Sequence, residues 1–259
     1  MKTKSLGFIG GGRVTKIFLQ AFLNKREDFK AVIVYDTNAD VLSSLKRSFP
    51  EITTVDSASI AAKQDYLFIA LHPPVIMETL EKIQSDVNKN TIVISLAPKI
   101  TIEKIGSKLN HVQMIVRVIP NATSYINEGY NPVCFNKDVP VSERQHLLKI
   151  LGLLGHTFEV AENKLEGFAI MSAMLPTYFW FQWKELQAIG MQIGLNEKEC
   201  SDSIQETLKA SLNLMYKSGL TANEVMDLIP VKPIAENETQ IKDCFKNKLL
   251  PLFEKIKPQ

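Results

Sequence analysis

Short apolar runs alternate with helical periodicity through residues 1–160 of this chain. The runs at Leu6–Ile9, Ala31–Tyr35, Tyr66–Ala70, Thr91–Leu96 and Met114–Val118 are almost wholly apolar, as strands covered on both faces are. Pro132–Phe135 and His156–Val160 add two later strands. Between these runs, apolar residues recur at helical spacing over Val14–Leu23, Ala39–Phe49, Val75–Ser85, Ile102–Leu109 and Val141–Leu154. The alternation predicts an α/β domain with a Rossmann-like, doubly wound, mostly parallel sheet.

After Ala161 the strand signal stops. Helices are predicted over Lys164–Ile193, Glu197–Ser218, Thr221–Leu228 and Glu236–Ile256, with Asn196 and Thr221 as N-caps and Gly194 and Gly219 where helices end. The predicted division is therefore a nucleotide domain, residues 1–160, and an all-helical dimerisation and substrate domain, residues 161–259. The most apolar window, Gly167–Trp183, is shorter than the roughly 20 residues that span a bilayer. It also contains Pro176, and reads as a buried helix.

Composition narrows the partners. With 30 Lys+Arg against 28 Asp+Glu the formal charge is +2, without a clustered basic face for nucleic acid or anionic membrane, so small solutes are expected. Cys134, Cys200 and Cys244 are odd in number and far apart, giving neither a disulfide framework nor metal-ligand spacing. His111, His146 and His156 form no metal spacing either, and no metal site is expected. The N-terminus runs into its first strand without a secretory pattern, and a cytoplasmic location is expected.

The stretch SLGFIGGGRVTKIF, Ser5–Phe18, carries the chemistry. In a dinucleotide fold the first glycine makes the tight turn, the second lets backbone approach the pyrophosphate, and the third lets helix pack on strand. Gly10 and Gly12 hold the first two places and Thr15 the third, and a helix starting near Val14 aims its N–H groups and positive end at the phosphates. Asp36 ends the second strand, where the fingerprint places an acid on the adenosine ribose. A carboxylate there accepts from a 2′-OH and repels a 2′-phosphate, so NADH is favoured over NADPH, with Arg13 the cation able to swing toward a 2′-phosphate. In the alternative reading Asp36, Thr37 or Asn38 caps the next helix, and Asp36 is able to do both.

With these pieces placed, the chain resembles the pyrroline-5-carboxylate reductase family, enzymes that reduce a cyclic imine to proline. The resemblance runs from Ser5 to Leu228 and rests on GFIGGGRV, on YLFIALHPPVI (Tyr66–Ile76), on VISLAPKIT (Val93–Thr101), and above all on RVIPNATSYINEG (Arg117–Gly129). It implies a Rossmann-like N-terminal domain and a helical C-terminal domain that intertwines with a partner subunit. By position, Ile9, Gly10, Gly11, Gly12, Arg13 and Val14 would hold the pyrophosphate, Asp36 the ribose, and Ser57 the adenosine side. Ala70, Leu71, His72 and Pro73, with Leu96, Ala97 and Pro98, would flank the nicotinamide.

The substrate side departs from that pattern. SAMLPTY (Ser172–Tyr178) keeps the serine, proline and tyrosine of the family's S-G-S-G-P-A-Y but puts Ala173 and Leu175 in place of its glycines, adding bulk where a small substrate should sit. The family's S-P-G-G-T-T loop is replaced around Ile229–Thr239, where Pro230 and Pro233 donate no N–H and Lys232 offers a point charge instead. Pro98-Lys99 and His72 stand where the family has alanine-glycine and lysine.

Hydride transfer to a protonated imine needs positioning, donor and acceptor carbons roughly 3–3.5 Å apart, more than a strong acid. A carbonyl substrate would need a proton donor, and His72 is the best-placed candidate. Tyr178 is a candidate hydrogen-bond donor, with Ser172, Met174 and Thr177 as further substrate contacts, although the run YFWFQW also reads as core or dimer interface. Asn121 either orients the nicotinamide or makes a turn after Pro120. Lys164 is followed at the K-x-x-N spacing by Gly167, which disfavours the hydroxyacid dehydrogenases. The expectation is an NAD(P)H-dependent reductase of pyrroline-5-carboxylate, a homodimer or larger. The alternatives are a reductase of another small imine, ketone or cofactor, and a non-catalytic nucleotide-binding regulator.

Overall fold

A computed structural model describes residues 4–258. Eight strands form one sheet in the order β3-β2-β1-β4-β5-β6-β7-β8. They are β1 Ser5–Ile9, β2 Ala31–Tyr35, β3 Thr53–Val55, β4 Tyr66–Ile69, β5 Ile92–Ser95, β6 Ile115–Val118, β7 Gly129–Phe135 and β8 Gly155–Glu159. Every neighbouring pair is parallel except β6 with β7. The helices between them are α1 Arg13–Lys25, α2 Ala39–Ser48, α3 Ala58–Ala62, α4 Pro73–Ile83, α5 Ile102–Lys108 and α6 Val141–Gly152. The doubly wound, mostly parallel architecture is the one that the periodicity predicts.

Alternation within the buried strands divides two cores. Leu6, Phe8, Tyr66, Phe68, Ile92, Ile94, Val116 and Val118 pack with α1, α2 and α6 on one face. Ile9, Leu67, Ile69, Val93 and Ile115 pack with α3, α4 and α5 on the other. The Phe8 ring stacks on Phe68 at 4.7 Å and the Phe18 edge meets Phe68 at 5.5 Å, tying α1 to the central strands.

Two elements lie outside the predicted set. β3 is three residues, Thr-Thr-Val, at the edge of the sheet, and α3 is five, so neither carries a readable period. The predicted helix Lys164–Ile193 is also divided, into a 3₁₀ turn (Glu162–Lys164), α7 Leu165–Phe168, a π turn (Ala169–Ala173) and α8 Leu175–Gln192. Pro176 has no N–H to bond the Ser172 carbonyl four residues back, and that carbonyl accepts from Asn121 Nδ2 instead at 3.0 Å. The reading of Gly167–Trp183 as buried is corrected likewise: Ala169, Ile170 and Ser172 are buried, but Trp180 and Phe181 of α8 are exposed in the single chain. Among the described residues no helix is long and apolar enough to cross a membrane.

The remaining helices are α9 Glu197–Lys217, α10 Ala222–Asp227 and α11 Glu238–Ile256. Asn196 and Thr221 cap α9 and α10 in full capping boxes, and Gly194 and Gly219 take the left-handed conformation. The chain forms two compact units, divided between Met174 and Leu175. The first unit keeps α7 and the π turn because Leu165 and Ala169 are buried against Ile119 and Cys134. It also takes back the chain from Leu252 onward, whose Ile256 packs on that cluster.

Candidate functional site

The connections from β1 and β4 leave in opposite directions, through α1 to β2 and through α4 to β5, which opens a crevice at their carboxyl ends. Three backbone bonds bring the residues after the strands side by side: Gly10 N–H to Tyr35 O at 2.8 Å, Ala70 N–H to Ile9 O at 2.8 Å, and Leu96 N–H to Ile69 O at 3.1 Å. Gly10 turns with φ +103°, and a Cβ there would stand 2.4 Å from the Ala70 carbonyl oxygen, so both conformation and close approach require glycine. Thr15, in the third glycine place, locks the turn by donating its hydroxyl to the Gly10 carbonyl at 2.5 Å.

Gly12 is the N-cap of α1, exposed and extended; among the described residues no side chain caps the helix, and apart from its chain neighbours none comes within 4 Å of where its Cβ would be. An N-terminus without capping side chains, at a strand switch point, fits a pyrophosphate: first-turn N–H groups and the helix dipole face open space. Arg13 opens α1 and is exposed.

Asp36 serves the turn itself. Its Oδ2 accepts the Gly11 N–H at 2.7 Å and its Oδ1 the Asn38 N–H at 2.8 Å, while Asn38 caps α2 through the amides of Asp40 and Val41. The cap is therefore Asn38, and Asp36 is fixed beside the glycine turn. Ser57 is half-buried at the N-cap of α3 without a side-chain cap bond. Leu71 is half-buried, His72 is the exposed N-cap of α4, and Pro73 is its first residue. Leu96 and Ala97 are buried and Pro98 half-buried.

Against the turn after β5 lies a charged cluster that the periodicity does not single out. Arg117, in β6, is 0% exposed. Its Nη1 meets Glu162 Oε1 at 3.0 Å and its Nη2 meets Glu166 Oε1 at 2.5 Å. Glu162 Oε1 also accepts the Ile102 N–H at 2.7 Å, and Glu166 Oε1 the Lys99 N–H at 2.9 Å. Lys99 stands at φ +77°, a conformation costing a non-glycine residue about 1–2 kcal/mol. The readable signal was the lone arginine within the apolar run Met114–Val118, because a buried guanidinium requires counter-charges. Cys134 lies opposite Arg117 in β7, and burial, then the Glu162 charge, pushes its thiol up to about 11.

Asn121 and Ser172 are brought together. Asn121 Nδ2 donates to Ser172 O and Oγ at 3.0 and 3.1 Å, its Oδ1 accepts from Thr123 N–H and Oγ1, and Ser172 Oγ donates to Tyr130 O. Both side chains are committed inside the first unit, and Asn121 makes the turn after Pro120. Met174 closes the π turn, its N–H bonding Ala169 O at 3.0 Å.

Thr177, Tyr178 and Lys232 belong to the second unit. Thr177 and Tyr178 line a groove of about 490 Å³ with Phe181, Ile241, Phe245 and Leu249. Burial raises the Tyr178 phenol above its ordinary value, so it stays a neutral donor. Lys232 is exposed in the segment between α10 and α11. No group of three or more metal-ligating side chains occurs among the described residues.

Residues 5–99 match the family model described as NADP oxidoreductase coenzyme F420-dependent. The chain is 22% identical over 227 residues to the pyrroline-5-carboxylate reductase of Escherichia coli K12, covering 87% of this chain and 84% of that protein. The Haemophilus influenzae enzyme of the same name is 23% identical, covering 84% and 80%. Among solved structures, Plasmodium falciparum pyrroline carboxylate reductase with NADP bound superposes with TM-score 0.79 at 21% identity, over 99% of this chain and 96% of that one. Aquifex aeolicus prephenate dehydrogenase follows at TM-score 0.55 and 11% identity, over 98% and 91%. At these identities the structural likeness establishes the fold.

Proposed function

We propose that this chain, one of the proteins resembling pyrroline-5-carboxylate reductase, is an NAD(P)H-dependent oxidoreductase that reduces pyrroline-5-carboxylate to proline. The observation that carries the reading is the uncapped α1 N-terminus at the β1/β4 switch, with open space at Gly12 and Asp36 fixed beside it. Ile9–Val14 hold the pyrophosphate, Asp36 the ribose, Ser57 the adenosine side, and Ala70–Pro73 with Leu96–Pro98 the nicotinamide. The bound dihydronicotinamide supplies the hydride, and the chain's task is to orient it and exclude water.

An already protonated imine asks no proton of His72, whose exposed position beside the crevice suits a loop residue bordering the cofactor. Asn121 and Ser172 hold the π turn that Met174 closes, and Met174 in the first unit and Thr177, Tyr178 and Lys232 in the second are each candidate substrate contacts, Lys232 as a positive charge for the carboxylate. Asp36 favours NADH over NADPH, because a 2′-phosphate would meet its charge.

The test follows NADH and NADPH oxidation by purified protein with pyrroline-5-carboxylate, beside a panel of small cyclic imines and keto acids. Substrate-dependent oxidation is expected, fastest with the pyrroline and with NADH. Oxidation with another imine or ketone alone would replace the substrate, and tight cofactor binding without any turnover would favour a regulatory protein.

The second unit also points to assembly as a homodimer. Helices α8 to α11 bury only Gly190 and Cys200 among their described residues, while Phe181, Ile193 and Tyr216 are 66%, 75% and 78% exposed. Apolar surface on that scale is covered by a partner, and a second copy is the partner always present. Light scattering at micromolar concentration is expected to give a dimer or larger, and Phe181→Glu with Ile193→Glu to shift it toward monomer. A monodisperse wild-type monomer would overturn this.

A further inference from the structure

The turn after β5 is held by side chains from outside it, one on β6 and two on the segment that follows β8. Lys99 adopts φ +77°, a left-handed conformation that disfavours a lysine. Glu166 Oε1 holds it there by accepting the Lys99 N–H at 2.9 Å, and Arg117 Nη2 fixes that same oxygen from the other side at 2.5 Å. At the far end of the turn Glu162 Oε1 accepts the Ile102 N–H at 2.7 Å and Arg117 Nη1 at 3.0 Å. Both ends of the segment Lys99–Ile102 thus hang on carboxylates locked to one buried arginine.

The cluster is poorly built if stability is its purpose. Glu166 is 1% exposed, yet among the described residues its Oε2 has no hydrogen-bond partner, and neither has Arg117 Nε. A buried ion pair recovers its desolvation only when the remaining polar atoms are satisfied. What the arrangement secures is the path of the backbone directly after Leu96, Ala97 and Pro98.

We propose that Glu166, itself fixed by Arg117, is a positioning residue that holds the Leu96–Lys99 turn so that the nicotinamide ring stands at the angle hydride transfer requires. The proposal rests on the cofactor reading above. It separates two quantities: cofactor affinity is set by the glycine turn and Asp36, and ring orientation by Glu166.

Glu166→Ala leaves Arg117 paired with Glu162 but breaks the same buried pair as Arg117→Leu, so its thermal midpoint is measured alongside and Glu166→Gln serves as the milder variant. Glu166→Ala is expected to lower kcat about tenfold or more, while the dissociation constant for NADH stays within about threefold, because a small misplacement at the reacting centre costs rate before affinity. The emission of bound NADH should shift toward that of the free dihydronicotinamide. Glu166→Gln keeps an acceptor for the Lys99 N–H and should recover part of both changes. Adding Lys99→Gly to Glu166→Ala should recover more, since glycine adopts the left-handed conformation unaided.

Unchanged kcat and emission in Glu166→Ala, equal losses of affinity and kcat, or losses that Lys99→Gly does not reduce would each overturn the proposal. The emission shift and its rescue are read without turnover. If the wild type binds NADH but reduces no imine, they still decide the role of Glu166 while the substrate reading falls; if it binds no nicotinamide nucleotide, both fall.

Discussion

A Gly12→Val protein is expected to fold as the wild type does and to bind neither NADH nor NADPH measurably. Gly12 has φ −74° and ψ −161°, an extended conformation that any residue adopts, and among the described residues its Cβ would meet none within 4 Å apart from its chain neighbours. The fold therefore tolerates valine, at the modest cost of a poor N-cap. The space the side chain fills is the space through which a pyrophosphate must approach the α1 amides. Titration of NADH fluorescence should show affinity at least about 100-fold weaker, about 2.7 kcal/mol, with the thermal midpoint nearly unmoved. Binding within about fivefold of wild type would sink the account of the turn, since loss of one tenfold step corresponds to only about 1.4 kcal/mol. Gly10→Ala makes the contrast: with φ +103° and a Cβ 2.4 Å from the Ala70 carbonyl, it should lower stability as well as binding.

The second large effect belongs to Arg117. Arg117→Leu removes the guanidinium between Glu162 and Glu166 and leaves the Glu166 carboxylate, 1% exposed, facing another negative charge. Breaking a buried pair from one side costs about 3–5 kcal/mol. In a unit of this size that lowers the thermal midpoint by roughly 10 °C. Calorimetry on the purified variant measures it, and adding Glu166→Gln should restore a substantial part, because the stranded charge is then gone. A drop under about 3 °C for Arg117→Leu would mean that the cluster is not desolvated as its burial indicates.

The elements most legible in the sequence are those whose burial is symmetrical. β1, β4, β5 and β6 are covered on both faces and therefore read as unbroken apolar runs, and the glycine turn is legible because the backbone conformation at Gly10 and its close approach to Ala70 both demand glycine. β3 at the edge and the single-turn α3 carry too few residues for any period. The helix through Pro176 reads as continuous because its apolar content is, whereas its backbone is set by Asn121, 51 positions earlier, taking the carbonyl that proline frees. Glu162 and Glu166 are indistinguishable in sequence from ordinary solvated helix residues. Only the fold shows that the segment bearing them lies against β6, where Arg117 requires them. Asp36 carried two readings, and the structure puts its carboxylate on the Gly11 amide and gives the helix cap to Asn38.

The return of the chain to its first unit sets an order of events during synthesis. The ribosome delivers the whole sheet and the π turn, then all of Leu175–Pro251, before it reaches the segment that carries Ile256. Until then the nascent first unit presents Ile119, Leu165 and Ala169 without that cover, beside the buried charges that hold the turn after β5. The first unit is thus completed late, by residues made after the whole of the second unit, although every residue of the glycine turn has long since emerged.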